Sequence, residues 1–578
     1  MNKLSNDCNV ESLHRVLEKI YDQHHDNAML IALLQFLANE IKILHDQNNI
    51  LGHIDNKSLL LHHYSLQNWQ AISLAEKKFT RLQQPLTLQQ RAADVAQLNF
   101  PDDYWRIFKH MYYANDVIPE EFNQIAEKER LQHRQQNPSL RKNEQNIWLW
   151  DEKSAQAMVV LNSKSKKHYR NLKQYLSMTW RILKTLPKLY FTYKRLIKLA
   201  YKKQLYLTDR IGIALTASYK TAELNLLQEL DNIPVLLRFY CHQDISKWVE
   251  NIEFLHLLRA RNIKVAVALV QDREAVINLE KWQMFLEKIL PNIVDQILWA
   301  EVGHAINRVK WGIWQTEEYI NLLELAFAMV KKYPNLRLIG PAVIDFEWYR
   351  IIDVLQALPK KLKLFAISQH LYVDRRGAPE NYQGKFSTLE KCAMGKAIAQ
   401  LVNQNDPRFI ISEVNWPLQD TGIWSPIGSP YTAPEWFRDR PGVSEEDYAN
   451  YLIRYLSIAL CSGFAEQIFI WRLSAYGYGL VDDRNQFRKR AAFFALKNFL
   501  YLLGQAKFIE RLVSRKTIYL LKFKSKNNII ILGWTTLKDG IEIALPRVPV
   551  KVADRDGNLS TIENSNVVIT EKPCYYIL

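Results

Sequence analysis

The amino-acid sequence predicts an α/β protein built around a (β/α)8 barrel of the TIM type, a closed ring of eight parallel strands surrounded by helices. Three observations lead to this prediction. Between residues 209 and 504, eight short apolar runs alternate with amphipathic helical stretches. Turn-forming or polar residues bound each run, as is usual for buried strands. The segment, about 295 residues long, also has the length that such a barrel needs.

The predicted strands are short and consist mainly of Ile, Leu, Val, Ala and Phe. In chain order they are RIGIALT (210–216), IPVLLRFY (233–240), IKVAVALV (263–270), DQILWAEV (295–302), LRLIGPAV (336–343), LKLFAISQH (362–370), RFIISEV (408–414) and EQIFIWRL (466–473). The helices predicted between them include residues 245–260, 282–290, 317–332, 347–358 and 445–461.

Changes in composition divide the chain of 578 residues into four predicted segments. Residues 1–150 are polar, rich in Gln, His and Asn, and mostly helical in pattern. Residues 151–208 form a basic amphipathic helical linker, and residues 209–504 form the barrel. Residues 505–578 alternate apolar with polar positions between turns such as Lys538-Asp539-Gly540, which predicts a small β-sandwich.

The linker carries most of the net charge of +16. No Asp or Glu lies between Glu152 and Asp209, whereas fourteen Lys and Arg do, interleaved with large apolar residues such as Trp180 and Phe191. This pattern is typical of a helix that lies on an anionic membrane. A linker helix docked between domains, with a solvated basic face, is the alternative. Nucleic acid is not an expected partner, because no zinc, helix-turn-helix or RNA-binding motif is present.

The cysteines and the N-terminus bear on the cellular compartment. The five cysteines are odd in number and widely spaced, so they predict neither a disulfide framework nor a metal site. A reducing compartment is therefore favoured. The N-terminus has no apolar core of a secretory signal, and no run of 18 apolar residues occurs. We expect a cytoplasmic protein.

Side chains able to carry chemistry stand at the carboxyl ends of the predicted strands, where the active sites of such barrels lie. They are Arg238 and His242 at strand 2, His370 and Tyr372 at strand 6, Glu413 and Trp416 at strand 7, and Trp471 at strand 8. In this order, over nearly 300 residues, they resemble the clan A retaining glycosidases.

The resemblance implies a role for several of these residues. Glu413 would be the nucleophile that forms the glycosyl-enzyme intermediate, Tyr372 would hydrogen-bond it, and Arg238 would keep it ionised. Trp471 would form the aromatic platform under the sugar. A carboxylate that ends an apolar strand is costly to bury unless it faces a polar cleft, which favours Glu413 independently. The remaining residues assigned to substrate binding are His242, Asn307, His370 and Trp416.

The second catalytic carboxyl group departs from the family pattern. A retaining mechanism needs a proton donor ~5–5.5 Å from the nucleophile, and the family supplies a Glu preceded by Asn at the end of strand 4. Here His304 replaces the Asn and Ala305 replaces the Glu. Glu301 and His304 are the candidate catalytic replacements, and Asp345 or Glu347 after strand 5 could also reach the cleft. Alternatively, nothing replaces the acid and the barrel binds glycans without hydrolysing them.

Long loops after strands 7 and 8 indicate a tailored cleft, because loops of this length in a compact domain are usually functional. Their aromatic side chains suit stacking against sugar faces, although packing within the loops explains them nearly as well. The residues concerned are Trp424, Tyr431 and Trp436 within residues 418–442, and Tyr476, Tyr478, Asp482 and Asp483 after strand 8.

A second resemblance concerns the N-terminal segment. The run Leu51-Gly52-His53-Ile54 followed by Ser58, the residue Ser73, and the run FPDDYWR (100–106) are similar to the carboxyl-terminal lobe of lipopolysaccharide core kinases. Phosphoryl transfer needs carboxylates that hold Mg²⁺ and orient the acceptor. In this chain His53, Ser58 and Ser73 replace the catalytic Asp, the Asn and the metal-binding Asp of that family. Asp55 could stand in for the catalytic Asp, but Leu60 would then occupy the position of the Asn. The resemblance implies a degenerate, non-catalytic lobe; an unrelated helical bundle is the alternative.

Together the two resemblances predict a glycoside-processing protein of the bacterial cell envelope. Its expected partner is an oligosaccharide or a lipid-linked glycan of surface polysaccharide or lipopolysaccharide. Peripheral contact with the anionic inner membrane is expected through the basic helix. Clan A chemistry uses no cofactor or metal, so none is expected. The competing hypothesis is a non-catalytic glycan-binding scaffold made of two degenerate enzyme folds.

Overall fold

A computed structural model gives the architecture. It describes residues 9–19, 27–52, 57–65, 68–75, 79–98, 100, 102–113, 118–136, 146–151, 155–161, 163–169, 171–373, 377–419, 442–526 and 528–578. These residues fall into two compact units, which divide between residues 168 and 169. Within the described ranges, no helix is both long and apolar enough to cross a membrane.

Eight parallel strands in the second unit close into a barrel in chain order, which confirms the predicted fold. The ring closes where strand 8 pairs with strand 1, with Ile468 beside Ile211. The strands are Ile211–Ala214, Val235–Tyr240, Val265–Val270, Ile297–Val302, Leu338–Ile344, Ala366–His370, Phe409–Val414 and Gln467–Ile470.

The strands are apolar throughout because one face points into the barrel and the other packs against helices. Gly212 is required by this packing, since a Cβ atom there would lie 2.3 Å from the Phe469 ring. The surrounding helices are Lys220–Gln228, Ile245–Ala260, Arg273–Ile277, Leu279–Ile293, Thr316–Lys332, Trp348–Ala357, Thr388–Val402, Glu445–Cys461 and Ala491–Leu503.

Six strands of the C-terminal segment and the strand Leu205–Tyr206 form a seven-stranded antiparallel sheet. Beside it lies a two-stranded ladder, Ile541–Ala544 with Asn566–Ile569. Side chains alternate between the two faces of the sheet. Leu521 and Trp534 join the core of the barrel, whereas Leu520 packs with Ile569 of the ladder. In spatial order the strands are Leu559–Ser560, Lys551–Asp554, Cys574–Ile577, Ile529–Thr535, Ile518–Lys524, Lys507–Arg511 and Leu205–Tyr206.

The basic stretch contains a helix of 28 residues, Leu172–Leu199, which we call the basic helix. It packs on the barrel helices Trp348–Ala357 and Thr388–Val402. The predicted linker began at residue 151, but Ile147–Asp151 and Gln156–Val160 instead pair as an antiparallel hairpin. Helix Ser163–Tyr169 then precedes the basic helix.

The first unit combines helices with small antiparallel ladders. Asn9–Ser12, Leu59–Ser65 and Asn68–Leu74 form a three-stranded sheet, and Asn49–Ile50 pairs with Thr80–Arg81. The helices are Leu13–Lys19, Asn27–Asp46, Leu88–Val95, Asp102–Tyr112 and Glu120–Gln136.

A buried carboxylate organises this unit. Asp94 accepts hydrogen bonds from the backbone N–H groups of Leu51 and Gly52, at 2.8 and 2.9 Å, and lies 2.9 Å from His45 Nε2. Of the residues that the kinase resemblance singles out, His53 and Asp55 lie outside the described residues. Ser73 lies on the strand Asn68–Leu74, where its hydroxyl is 2.7 Å from His62 Nε2.

Candidate active site

Glu413 lies at the carboxyl end of strand 7 and is only 2% exposed. Two residues hold its carboxylate. Arg238 Nη2, from strand 2, donates to Oε2, and the Tyr372 hydroxyl, just beyond strand 6, donates to Oε1. The structure therefore brings together the predicted nucleophile and the two residues predicted to contact it.

The surroundings keep Glu413 charged. Burial raises the pKa of its carboxyl group, but Arg238, His370 and the hydrogen bond from Tyr372 outweigh this effect, and the net pKa lies below the usual value. Burial, followed by the negative charge of Glu413, raises the pKa of Tyr372 well above its ordinary value. At neutral pH an ionised carboxylate therefore meets a protonated phenol donor.

Trp471, directly after strand 8, supports this arrangement. The Arg238 guanidinium lies over the indole ring, with Cζ 3.3 Å from the ring centroid. Such a contact is attractive because the ring face is electron-rich. One face of the predicted sugar platform is thus occupied by Arg238, so a sugar could meet only the other face or the ring edge.

Glu301, on strand 4, lies inside the barrel and is fully buried. Ser412 Oγ donates to one of its carboxylate oxygens at 2.5 Å, and His370 Nε2 lies 3.5 Å from the other. Both oxygens are therefore engaged in the barrel interior. This position suits a residue that orients His370 better than one that protonates a leaving group.

The segment after strand 4 places a neutral histidine beside the nucleophile. The His304 ring lies 4.3 Å from the Trp311 ring and 4.6 Å from the His370 ring, measured between centroids. Burial, Arg238 and His370 hold the pKa of His304 well below its usual value. At neutral pH such a histidine lacks the acidic proton of the imidazolium form, so it is a poor general acid. Ala305, at the position where the clan A resemblance implies the acid, is buried with a φ of 41°.

The two acidic residues after strand 5 are committed to one arginine. Arg308 Nη2 lies 2.5 Å from Asp345 Oδ2, and its Nη1 lies 2.6 Å from Glu347 Oε1. Burial lowers the pKa of Arg308, but the two carboxylates outweigh burial and raise it. Both carboxylates are therefore engaged in ion pairs with Arg308.

Three further predicted residues lie nearby with structural contacts. Asn307 exchanges two hydrogen bonds with the backbone of Ile344, at 2.9 and 3.0 Å. Trp416 donates to the Gly377 carbonyl at 3.1 Å and packs among three tyrosines. His242 lies beside the Tyr240 ring, and burial lowers its pKa to about 4. The polar groups of Asn307 and Trp416 are thus bound within the fold.

Lys310 was not singled out from the sequence. It lies in the short 3-10 turn Val309–Trp311 that follows strand 4, and it is buried. Burial, then Arg308, lowers the pKa of its amine to about 7, and the charge of Glu413 only partly offsets them. In the sequence, only its position between the apolar residues Val309 and Trp311 indicates a buried lysine, and this indication is weak.

Glu413, His304 and His370 could also reach a single metal ion, since one ligand atom of each lies within 4.8 Å of the others. Two imidazoles and a carboxylate are suitable ligands for a divalent transition metal. However, the Arg238 guanidinium already neutralises Glu413. A second cation beside it would be repelled in this buried setting, so the local charges disfavour a metal ion at this position.

The predicted loop aromatics are placed only in part. Trp424, Tyr431 and Trp436 lie outside the described residues. After strand 8, Tyr478 is buried, and Asp483 accepts a hydrogen bond from the Tyr219 hydroxyl at 3.2 Å.

Comparison with known proteins shows similarity to solved structures only. No protein-family model and no curated protein matches the sequence. One similar structure is a family 39 glycoside hydrolase from Bacteroides cellulosilyticus WH2. The two sequences are 14% identical, the match covers 64% of this chain and 81% of that chain, and the TM-score is 0.49. Another is a GH30 endoxylanase from Clostridium papyrosolvens C71. The sequences are 10% identical, the match covers 64% of this chain and 96% of that chain, and the TM-score is 0.43.

Both of these proteins are glycoside hydrolases, and neither gives support to the kinase-like interpretation of the first unit. With TM-scores below 0.5, the similarity assigns no role to any residue of this chain. The barrel is established by its own strand order, and the function has to be argued from the site.

Proposed function

We propose that the barrel is a glycoside-processing enzyme that acts with retention of configuration and uses Glu413 as its nucleophile. The observation that carries the proposal is the buried carboxylate held ionised by Arg238 and Tyr372. Such a carboxylate can attack the anomeric carbon of a sugar as the glycosidic bond breaks. The covalent glycosyl-enzyme is then hydrolysed by water.

The proton for the leaving group comes, in this proposal, from Lys310. The carboxylates after strand 5 are paired with Arg308, and His304 is held neutral. An amine with a pKa of about 7 matches the working pH of a general acid. It donates its proton to the glycosidic oxygen, and as the neutral amine it then takes a proton from the attacking water.

The substrate that we propose is an oligosaccharide or lipid-linked glycan of the cell envelope, processed on the cytoplasmic side. This part depends on the resemblances in the sequence. The kinase-like nature of residues 1–150 likewise stays a prediction.

A non-catalytic glycan-binding protein is the second candidate, and two observations favour it. The family's acid position is Ala305, and Arg308 sequesters the nearby carboxylates Asp345 and Glu347. In that case Glu413 and Arg238 would serve only to hold a sugar.

The first experiment separates the nucleophile from the acid. The protein is incubated with 2-deoxy-2-fluoro glycosyl fluorides of the gluco, galacto, manno and xylo series and examined by intact mass spectrometry. Fluoride leaves with little acid help, so we expect one covalent adduct on the wild type, none on Glu413→Gln, and an adduct on the matched control Glu301→Gln. An unmodified wild type that still binds oligosaccharides in calorimetry would refute the enzyme and favour the binder.

A further inference from the structure

The basic helix, Leu172–Leu199, carries two apolar stripes, of which the barrel uses one. Met178, Thr185, Leu189 and Leu196 are buried. The members of the second stripe are large and are each between 52% and 71% exposed; they are Leu172, Leu176, Trp180, Leu183, Tyr190 and Phe191.

The second stripe faces away from the barrel. Successive residues of a helix are rotated by about 100° about its axis. Two residues that are two positions apart therefore lie on nearly opposite faces. Trp180 stands two positions after the buried Met178, and Phe191 stands two positions after the buried Leu189. The exposed stripe therefore runs along the outer side of the helix over its first five turns or so.

Cations lie along this outer face. The helix contains seven Lys and Arg and no Asp or Glu. Lys184 Nζ lies 4.9 Å from the centroid of the Trp180 ring, and Lys194 Nζ lies 5.6 Å from that of Tyr190. Lysine chains can keep their ammonium groups in water while the carbon chain covers apolar surface.

We propose that the outer face of the basic helix is a membrane-binding surface that docks in the interfacial region of an anionic lipid bilayer. The leucines, Trp180 and Phe191 enter the boundary between headgroups and acyl chains, where aromatic side chains are favoured. The lysines lie at the level of the lipid phosphates and add electrostatic attraction.

The composition of the face favours lipid over the other occupants. A second copy of the chain would bring its own lysines against the lysines of the same face, and like charges repel. A nucleic-acid backbone would satisfy the lysines, but it offers nothing to a continuous stripe of leucine and phenylalanine. An anionic bilayer provides both an apolar phase and negative charge.

The test uses the full-length protein and vesicles of phosphatidylcholine, alone or with 30% phosphatidylglycerol. In flotation assays we expect binding to the anionic vesicles and little to the neutral ones. The double variants Trp180→Ser/Phe191→Ser and Lys184→Gln/Lys188→Gln should each lower the vesicle partition coefficient by roughly tenfold or more. Tyr501→Ser, on an exposed tyrosine of a barrel helix, is the matched control and should bind like the wild type.

A second measurement locates the contact. Lipids brominated near the headgroup should quench a component of tryptophan fluorescence that is present in the wild type and absent in Trp180→Phe. An unchanged thermal unfolding temperature shows that the variants are folded. Neither vesicle binding nor fluorescence quenching depends on glycosidase activity.

Three results would overturn the proposal. One is equal binding of wild type and stripe variants to anionic vesicles. Another is a wild-type dimer that Trp180→Ser/Phe191→Ser converts to a monomer. The third is binding to RNA, but not to vesicles, that depends on the lysines.

Discussion

The charge of Glu413 results from a balance between burial and three neighbours, and this balance can be shifted. Removing Arg238 withdraws the strongest opposing influence, so burial would raise the pKa of the carboxyl group. The ionised nucleophile would then be lost at a higher pH than in the wild type. Tyr372→Phe removes only a hydrogen bond and should shift the pKa in the same direction by less.

We therefore expect the acidic limb of the pH profile for adduct formation to move upward in Arg238→Met, and less far in Tyr372→Phe. At neutral pH the rate in Arg238→Met should fall ~10²-fold or more, as when a preorganised donor is removed from an active site. Adduct formation rates measured by mass spectrometry between pH 4 and 8 check this. Identical acidic limbs in all three proteins would show that Arg238 does not set the ionisation of Glu413.

Lys310 permits a separate prediction about the proton donor. Its amine must be protonated to act, so turnover of a glycoside with a poor leaving group should decline as the pH rises through about 7. Lys310→Met should remove this alkaline limb and slow such a substrate ~10²–10⁴-fold, while an activated aryl glycoside is little affected. Lys396→Met, a lysine bound instead to Glu466, is the control. Equal losses on both substrates in Lys310→Met would exclude it as the acid.

At the residue scale, the site residues that lie at or just after the carboxyl ends of strands could be predicted from the sequence. Arg238, Tyr372 and Glu413 could be predicted because parallel strands deliver their last residues to one end of the barrel. Lys310 and the position of Glu301 could not, because they depend on the path of the chain after strand 4 and on which strand face points inward.

At the scale of elements, the basic helix is held on the barrel by a buried carboxylate. Arg181 Nη1 lies 2.8 Å from Asp353 Oδ1, and the Thr316 hydroxyl donates to the other oxygen of Asp353. The helices and strands of the barrel were predictable because their apolar patterns are long and regular. The hairpin Ile147–Asp151 with Gln156–Val160 was not predictable, because its two apolar runs are short and charged residues surround them.

The Arg181–Asp353 pair gives a prediction for this element. Arg181→Met leaves the Asp353 carboxylate, which is 1% exposed, without its cation, and should destabilise the docked helix by ~2–4 kcal/mol. We expect faster amide hydrogen exchange in the basic helix. Arg195→Met, which removes one hydrogen bond to Gln400, should change exchange by much less. Equal exchange in both variants would show that apolar packing alone holds the helix.

At the scale of the whole molecule, the barrel and the C-terminal sheet share one core. The chain contributes Leu205–Tyr206 to the edge of that sheet before it enters the first barrel strand. Trp534 of the sheet donates to Glu380 Oε1 at 2.7 Å, and Glu380 also binds Arg454 of a barrel helix. The sequence predicted a barrel followed by a small β-sandwich, and the fold shows that the apolar faces of the barrel and the sheet merge into one core.

This merged core predicts that the barrel and the sheet unfold together. Trp534→Ala removes a fully buried indole stacked on Tyr519 and should cost ~3–5 kcal/mol. Because the core is shared, hydrogen exchange should accelerate in the barrel helix Glu445–Cys461 as well as in the sheet strands. Val568→Ala, on an exposed position of the ladder, should stay within ~0.5 kcal/mol of the wild type. If only sheet peptides exchange faster in Trp534→Ala, the two layers are separate cooperative units, and the contacts between Glu380, Arg454 and Trp534 do not couple them.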